Sequence, residues 1–545
     1  MAYAHQRPNR HGCDVERLDP TGPFTGWVSG PDRDRLGIEP PSRPARLQVN
    51  TGHPHRCDQL LVPVTRPEMG SLCTMSESGD WHIDTLKVEN FRCFTDLDLT
   101  FDPTLTVLVG ANGTGKTAIL DAVAIMLSTI VREFDGETRG FLAEDAREVP
   151  RDLDSSSAVA RMDAIYPVRA TVEATLAGNT YWWRRERKSA KGRTSWGEKN
   201  TQVGQAIAHV WRESEMLADD PEWRRPLQLA APDPETPTTA PTRWPPLLPV
   251  VALYGVERLL GVRKATGTIA RSRSGAYASA LDGKSDLSRL SSFIEALTLA
   301  DFVADARGGE AQAARNQLRA IALACNAMLR ETGWQDPTWN PLVKELTLRH
   351  RDHGVLPLSF LSSGIKIAAG LVIDLVSRMA RANPGLGAEE LLAAVPGIVL
   401  IDEVDLHLHP AWQQRIIPLL TEVFPRVQFI VTTHSPQVLS TVEADSIRVL
   451  EEETRDEKTR VRSVPFSAGL RSDIVLNEVM RTNAEPELAI NKDLDRYLLM
   501  VDQGLGRSEE AVSLRRRLDE ELGGIPNVPK LADADASIAF FDLDD

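Results

Sequence analysis

Hydrophobic and polar residues alternate in short segments from Trp81 onward. A period of two predicts strands that bury one face, whereas a continuous apolar run predicts a strand that is buried on both faces. The alternation is carried by Ile83, Leu86, Val88, Leu97, Leu99 and Phe101. Residues 105–109 form a continuous apolar run that ends in a glycine loop, and apolar residues at helical spacing follow from Ile119 to Val131. The order strand, glycine loop, helix predicts an α/β core.

Further segments extend this pattern. Residues 170–196 are typical of antiparallel strands, with a tight turn near 190–192, and residues 286–332 have the spacing of helices that form an inserted helical lobe. Residues 221–249 are rich in Pro and Thr and predict a surface loop. Two more buried strands are predicted, at 398–401 and 429–431, and polar residues follow each of them.

The first 74 residues differ from the rest of the chain. They are rich in Arg, Pro, His, Gly and Asp and have no apolar period. Such a segment cannot bury enough apolar surface to offset the entropy of ordering, so we expect disorder. An equally good interpretation is that Met75 is the natural start and that the extension is spurious.

Composition narrows the class of protein. The chain has 545 residues, 42% of them hydrophobic, and a formal net charge of -15, which together indicate a globular protein of more than one lobe. The negative charge repels phosphate on average, so contact with nucleic acid would need a local basic patch. Short apolar runs and widely spaced cysteines predict a cytoplasmic protein with reduced thiols and no membrane contact.

A glycine loop carries the strongest chemical signal. Its residues fit the pattern G-x-x-x-x-G-K-[ST] and lie between a predicted strand and a predicted helix. They are Gly110, Ala111, Asn112, Gly113, Thr114, Gly115, Lys116 and Thr117. Backbone N–H groups of such a loop and the start of its helix bind phosphate oxygens. Lys116 would contact the β and γ phosphates of a nucleotide, and the Thr117 hydroxyl would hold Mg²⁺.

Acidic residues end the next predicted strand. Asp402 suits Mg²⁺, because a hard cation prefers oxygen ligands, and Glu403 is placed to orient and deprotonate an attacking water. His434 follows the strand at 429–431 and could contact a γ-phosphate. Each of these residues has a plain structural alternative, a solvated acid at a strand end or a satisfied histidine. The phosphate loop makes the catalytic interpretation the stronger one.

A weaker signal precedes the apolar helix that starts near residue 365. Ser362, Ser363 and Gly364 could form an anion site, because free N–H groups and hydroxyls meet at a helix start. The same residues are common as an ordinary helix cap. Whether these residues indicate a functional site depends on the motifs around them.

Together these four motifs, in this order, resemble the ABC-type head ATPases, which include SMC proteins and recombination-mediator ATPases. The residues 400–410 and 428–436 are most similar to the ATPases of Septu and retron-associated anti-phage systems, the PtuA group. The resemblance implies an α/β fold of the P-loop NTPase type, with an antiparallel β lobe and an inserted helical lobe.

A division of the chain follows from the motifs. We expect an ATPase N-terminal lobe, a loop-rich and helical insertion, an ATPase C-terminal lobe and a helical tail that could dock a partner. The expected ranges, after the extension at 1–74, are 75–200, 201–355, 356–450 and 451–545.

The resemblance also implies roles that the residues alone do not give. Ser362, Ser363 and Gly364 would act as the signature motif, contacting ATP bound to the opposite subunit of a homodimer or higher homo-oligomer. Asp405 would communicate between the sites, Asn112 would approach the γ-phosphate, and Arg92 would lie near the nucleotide or DNA. The cofactors implied are ATP and Mg²⁺.

Other features are open to more than one interpretation. No glutamine matches the position that senses Mg²⁺ in the family, and the segment Tyr254 to Arg258 resembles a family segment without an assigned role. His407 and His409 suggest a metal site weakly, since no third ligand is near in sequence. The basic and aromatic residues at 182–196 could track a nucleic acid, although a solvated hairpin is the better interpretation.

Two functions are compatible with these motifs. The leading hypothesis is an ATPase that hydrolyses ATP to ADP and phosphate and controls a separately encoded HNH-type nuclease in anti-phage defence. The alternative is a DNA-repair head ATPase that binds DNA without a nuclease partner. The chemistry of the phosphate loop and the two acids is common to both.

Overall fold

The computed structural model describes residues 79–150, 162–197, 199–218, 246–258, 273–283, 287–307, 312–453 and 458–544. The predicted disorder at 1–74 and most of the predicted loop at 221–249 lie outside these ranges. The strands are β1 (His82–Phe91), β2 (Phe94–Thr100), β3 (Leu105–Gly110), β4 (Glu148–Pro150), β5 (Met162–Ala164), β6 (Val168–Leu176), β7 (Asn179–Arg187), β8 (Val250–Tyr254), β9 (Trp334–Asn340), β10 (Glu345–His350), β11 (Gly354–Pro357), β12 (Gly397–Ile401), β13 (Val427–Thr432), β14 (Ile447–Glu453) and β15 (Lys458–Arg462). The helices are α1 (Lys116–Arg132), α2 (Asn200–Ala218), α3 (Leu287–Arg307), α4 (Gln312–Leu329), α5 (Ser363–Ala382), α6 (Ala388–Ala394), α7 (Pro410–Val423), α8 (Pro436–Leu439), α9 (Ser472–Ile474), α10 (Ala489–Asp502), α11 (Glu509–Leu522) and α12 (Lys530–Asp544).

The central sheet has the strand order β15-β14-β3-β13-β12-β8 within the described ranges. All neighbours from β14 to β8 pair in parallel, and β15 is antiparallel to β14. The continuous apolar runs predicted from the sequence are therefore β3, β12 and β13, next to one another in the middle of the sheet. Their carboxyl ends lie at one edge, where parallel α/β sheets place their ligands.

Both faces of this sheet are covered, which explains why its strands lack polar positions. On β12, Ile398 and Leu400 belong to one hydrophobic cluster with α1 and the antiparallel sheet, while Val399 and Ile401 belong to another with α4, α5 and α7. The four side chains have no solvent exposure. At about 25 cal/mol per Å² of apolar surface removed from water, such burial supplies the main favourable term of folding.

A second sheet, of order β2-β1-β6-β7, is antiparallel and covers α1. The predicted antiparallel strands and the tight turn near 190–192 are confirmed, and the sheet contains a further turn that was not predicted. The chain turns at Ala177 and Gly178, both with positive φ, where β6 and β7 meet. The predicted turn near Gly192 exists as well, because Gly192 N–H donates to Ser189 O at 3.0 Å, but it follows β7.

The predicted helices at 286–332 are α3 and α4, and they share the cluster of α5 and the central sheet through Ile294, Ile321 and Cys325. The expected insertion at 201–355 also contains β8, the edge strand of that sheet. These elements therefore pack as part of the ATPase core, and the domain boundaries stay a prediction.

Helices α10, α11 and α12 form a smaller unit with its own apolar cluster, centred on Leu494, Tyr497, Val501 and Leu518. The predicted helices of the tail are thus present, with Ser508 accepting a hydrogen bond from Ala511 N–H at the start of α11. Searching the described ranges for helices long and apolar enough to cross a bilayer finds none.

Candidate functional site

The loop between β3 and α1 is shaped by glycine. Gly113 and Gly115 have φ values of 88° and 92°, which side-chain-bearing residues rarely adopt. A Cβ on Gly115 would also lie 2.3 Å from the Phe94 ring. Among the described residues no side chain caps the start of α1, so its first N–H groups are free to bind an anion.

Lys116 lies at the first turn of α1 and is largely buried. Its Nζ donates to the main-chain carbonyls of Gly110 and Ala111, each at 2.9 Å. Burial lowers the pKa of Lys116, and the nearby carboxylates of Asp402 and Glu403 oppose that shift. The ammonium therefore lies at the phosphate loop, close to the acids that end β12.

Asp402 is held by hydroxyl groups from helix α1 and strand β13. Thr117 Oγ1 donates to Asp402 Oδ2 at 2.9 Å, and Thr432 Oγ1 donates to Asp402 Oδ1 at 2.6 Å. The carboxylate is only 5% exposed. A buried carboxylate beside the Thr117 hydroxyl provides hard oxygen ligands, which fits Mg²⁺ chemically.

Glu403 has a φ of 48°, in the left-handed region that costs a non-glycine residue about 1–2 kcal/mol. Its N–H donates to Thr432 Oγ1 at 2.7 Å. Its side chain lines the same cleft as the phosphate loop. Strained backbone of this kind is found disproportionately at functional sites.

One open cleft collects most of the predicted residues. Its lining consists of Arg92, Cys93, Asn112, Gly113, Gly115, Lys116, Thr117, Ala118, Asp402, Glu403 and His434. Gly110 and Thr114 are not part of this lining and lie close to each other, since a Cβ on Gly110 would meet Thr114 Oγ1 at 2.6 Å. The sheet order explains this convergence, because β13 lies between β3 and β12 and brings His434 between the two motifs.

Arg92 lies at the cleft on a turn with φ 50°. Its guanidinium donates to Asp145 Oδ1 and Asp121 Oδ2, each at 2.8 Å, and Asp121 also pairs with Arg139. Arg92 therefore lines the same cleft as the phosphate loop, with its side chain fixed by carboxylates, and its predicted place near a nucleotide stays a prediction. Contact with DNA stays a prediction.

The signature segment does not line this cleft. Ser362 and Ser363 are exposed at the start of α5, and Gly364 packs against the loop after β12, where a Cβ would lie 2.8 Å from His407 O. In that loop, Asp405 accepts a hydrogen bond from Thr433 Oγ1 at 2.5 Å. Within one chain, the signature segment and Asp405 thus share a surface apart from the phosphate loop.

The basic and aromatic segment at 182–196 is buried only in part. Trp183 has no exposure, and Arg185 donates to the carbonyls of Ile125 and Arg139 and stacks on Trp196. Arg187 donates to the carbonyl of Phe141. These side chains connect β7 to its neighbours. The exposed members of the segment are Trp182, Lys188, Lys191 and Arg193, so both interpretations of it stay open.

Of the two histidines after β12, His407 and His409, the second has a structural role at the start of a helix. His409 Nδ1 accepts the Ala411 N–H at 3.3 Å and caps α7. Among the described residues, no three or more His, Cys, Asp or Glu side chains come together in a way that could hold a metal ion.

Sequence reasoning missed two residues that organise the acids. Thr432 bridges Asp402 and the Glu403 N–H, and Arg258 donates to the main-chain carbonyls of both acids. Thr432 has a signal in the sequence, since it ends a buried strand two residues before His434. Arg258 belongs to the segment Tyr254 to Arg258, whose resemblance gave it no role, and its contacts depend on β8 pairing with β12.

The fold and the cleft have the arrangement of a P-loop nucleotide-binding domain, and two family models match parts of the chain. Residues 263–440 match the family described as "AAA domain, putative AbiEii toxin, Type IV TA system", and residues 85–230 match a second AAA domain family. The second match contains the phosphate loop, and the first contains the acids and His434. Parts of the chain thus match AAA domain families and are similar to proteins named as retron and Septu ATPases.

Several curated relatives support that placement. The chain is 38% identical over 164 residues to the retron Ec83 probable ATPase of Escherichia coli, covering 30% of this chain and 29% of the relative. It is 35% identical over 161 residues to the retron Vc95 probable ATPase of Vibrio cholerae, covering 29% and 31%. The Septu protein PtuA of Bacillus mycoides is 32% identical over 144 residues, covering 26% and 19%. The matched part is therefore less than a third of each relative.

Solved structures also align with the chain. The SMC head domain from Thermotoga maritima covers 70% of this chain and 99% of its own length at 14% identity, with a TM-score of 0.36. An SMC head bound to the C-terminal winged-helix domain of ScpA covers 70% and 97% at 15% identity, with a TM-score of 0.40.

Proposed function

We propose that this chain hydrolyses ATP to ADP and phosphate and is the cytoplasmic ATPase of an anti-phage system. The observation that carries the chemistry is the meeting of Lys116, Thr117, Asp402 and Glu403 in one cleft, with Thr117 and Asp402 in direct contact. The similarity to retron and Septu ATPases supports the biological role.

Each residue has a distinct part in the proposed reaction. The N–H groups at the start of α1 and the Lys116 ammonium bind the phosphates. Thr117 and Asp402 would hold Mg²⁺, which neutralises phosphate charge when bound. Glu403 accepts the proton of the attacking water, and His434 contacts the γ-phosphate. Arg92 and Asn112 complete the wall of the cleft.

Control of a partner nuclease is the further part of this proposal. Ser362, Ser363 and Gly364 are exposed or half-buried outside their own cleft, which fits contact with the nucleotide of a second copy. Closure of such a dimer on ATP, and its opening after hydrolysis, would give an HNH-type nuclease two states to recognise. The repair alternative needs a DNA-binding surface, and Arg185 and Arg187 of β7 are instead hydrogen-bonded to main-chain carbonyls.

The experiment is a hydrolysis assay on the purified full-length protein with Mg²⁺ and γ-labelled ATP. We expect Glu403→Gln to lower kcat by about 10²- to 10⁴-fold, the usual contribution of a general base, while ATP still binds. Glu422→Gln is the matched control, because Glu422 is an exposed acid that pairs with Arg330 on the surface. Equal rates for wild type and Glu403→Gln would contradict the role of Glu403, and a wild type that does not hydrolyse ATP would contradict the function.

The partner is tested by co-expressing the chain with a neighbouring HNH-type gene product. We expect co-purification, and nuclease activity that differs between wild type and Glu403→Gln at saturating ATP. If the nuclease does not bind the ATPase and its activity is the same with either ATPase variant, control of a partner nuclease would be contradicted and the repair alternative favoured.

A further inference from the structure

The segment that follows β8 reaches the two acids from behind the cleft. Arg258 is 1% exposed. Its Nη1 donates to the main-chain carbonyl of Asp402 and, at 3.3 Å, to that of Gly255, and its Nη2 donates to Glu403 O at 2.6 Å. A single planar guanidinium therefore binds the carbonyls of both acids, a fork geometry that lysine cannot reproduce.

The main chain of Glu403 needs such support. Its φ of 48° is unfavourable for a residue with a side chain, so the conformation persists only if neighbouring groups fix it. Thr432 Oγ1 accepts the Glu403 N–H at 2.7 Å, and Arg258 binds the Glu403 carbonyl. The peptide groups on both sides of the Glu403 Cα are thus held by side chains from β13 and from the segment after β8.

The charge of Arg258 also stands out. Burial lowers its pKa to about 10, and the nearby carboxylates of Asp402, Asp405 and Glu403 oppose that shift. The guanidinium remains charged at neutral pH. Its Nε is buried and has no hydrogen-bond partner among the described residues. Burying a charge with an unpaired donor is costly, and here the guanidinium is compensated by its hydrogen bonds to the carbonyls of both acids.

We propose that Arg258 is a positioning residue that fixes the backbone of Glu403 so that its carboxylate faces the bound nucleotide. This inference rests on the proposed function, because it assigns Arg258 to the same reaction. Arg258 does not line the cleft and acts only through Glu403.

The chain offers a matched control in Arg185. It is 2% exposed, and burial lowers its pKa to about 10 as well. Its Nη1 also donates to carbonyls, those of Ile125 and Arg139, and its Nε is likewise buried without a partner. Arg185 contacts neither acid and does not line the cleft. A general loss of stability should therefore be similar for the two arginines.

The experiment compares Arg258→Lys with Arg185→Lys in the full-length protein, measuring Tm, the Kd for ATP and kcat. We expect Arg258→Lys to lower kcat by about 100-fold, the typical effect of a small misplacement of a catalytic group, with a Kd within about 3-fold of wild type. Arg185→Lys should lower Tm by a similar amount and leave kcat within about 3-fold. A kcat for Arg258→Lys equal to that of Arg185→Lys would overturn the inference.

A double-mutant cycle tests the route through Glu403. When Glu403→Gln is already present, adding Arg258→Lys should change the residual single-turnover rate by less than about 2-fold, because the group being positioned is gone. A further loss as large as in the wild type would overturn the inference. If Arg258→Lys does not fold, Arg258→Gln replaces it, and failure of both to fold would assign Arg258 to stability alone. A wild type without hydrolysis would instead contradict the proposed function.

Discussion

The helices α1 and α5 begin with similar chemistry and end up in different surroundings. Both start at small residues, and among the described residues no side chain caps either helix. At α1, Lys116 and Thr117 face Asp402 and the rest of the cleft. At α5, Ser362 and Ser363 are exposed beside the loop that contains His407.

The difference shows how much a helix start depends on what the tertiary structure places in front of it. Free N–H groups attract an anion weakly by themselves, because the helix dipole contributes about 0.3–1 kcal/mol at an exposed position. A buried lysine and a pair of acids turn the start of α1 into a site that one chain can supply. The start of α5 lacks these groups within its own chain, so its proposed ligand has to come with a second copy.

The largest effect is expected when the lysine at the start of α1 is replaced. Lys116→Ala should weaken ATP binding by at least about 100-fold, because a buried charge-assisted contact to phosphate is worth several kcal/mol. Isothermal titration with ATP and Mg²⁺ measures it. Lys366→Ala is the control, since Lys366 occupies the first turn of α5. Equal losses of ATP affinity in the two variants would show that the lysine of α1 contributes no more to ATP binding than the lysine of α5.

A smaller effect is expected from the signature segment. Ser363→Arg should leave the Kd for ATP nearly unchanged and lower kcat by about 10-fold or more, because a bulky cation would obstruct closure on a second copy. Mixing Ser363→Arg with Lys116→Ala should restore part of the activity, since a mixed dimer contains one site with an intact Lys116 and an intact Ser363. Without restoration on mixing, the signature segment would not act across subunits.

The smallest effect concerns pH. Burial lowers the pKa of Lys116 below its ordinary value of 10.5, so the free protein loses this positive charge at a lower pH than an exposed lysine would. Bound phosphate favours the charged form, so ATP affinity should fall by a few-fold as the pH rises through the lowered pKa, with proton uptake on binding. Titrations in buffers of different ionisation enthalpy measure that uptake. Lys116→Arg should show neither trend, because arginine stays charged; a matching decline there would assign the pH dependence to another group.

Much of the nucleotide cleft could be predicted because its parts are contiguous in sequence. The run from Leu105 to Lys116 contains its own strand, turn and helix start, and the glycine positions report the backbone directly. The same holds for Asp402 and His434, which follow buried strands. The meeting of these motifs followed from a general rule, that carboxyl ends of parallel strands share an edge.

The turn between β6 and β7 was not predicted, and the reason is physical. Ala177 and Gly178 make a tight turn between strands whose alternation continues on both sides, so the apolar period does not break there. The predicted turn near Gly192 follows β7 and leads to Ser195, which pairs with Glu186. The sequence likewise does not show that Arg185 and Arg187 donate to main-chain carbonyls.

The sequence by itself determined the class of chemistry, because a phosphate loop and strand-terminal acids are local patterns in which each residue's neighbours along the chain define its function. Only the tertiary structure decided how the acids are held. Arg258 lies 144 residues before Asp402, and Thr432 lies 30 residues after it. They meet because β8, β12 and β13 pair side by side, an order set by the packing of both sheet faces and not by any local run of residues.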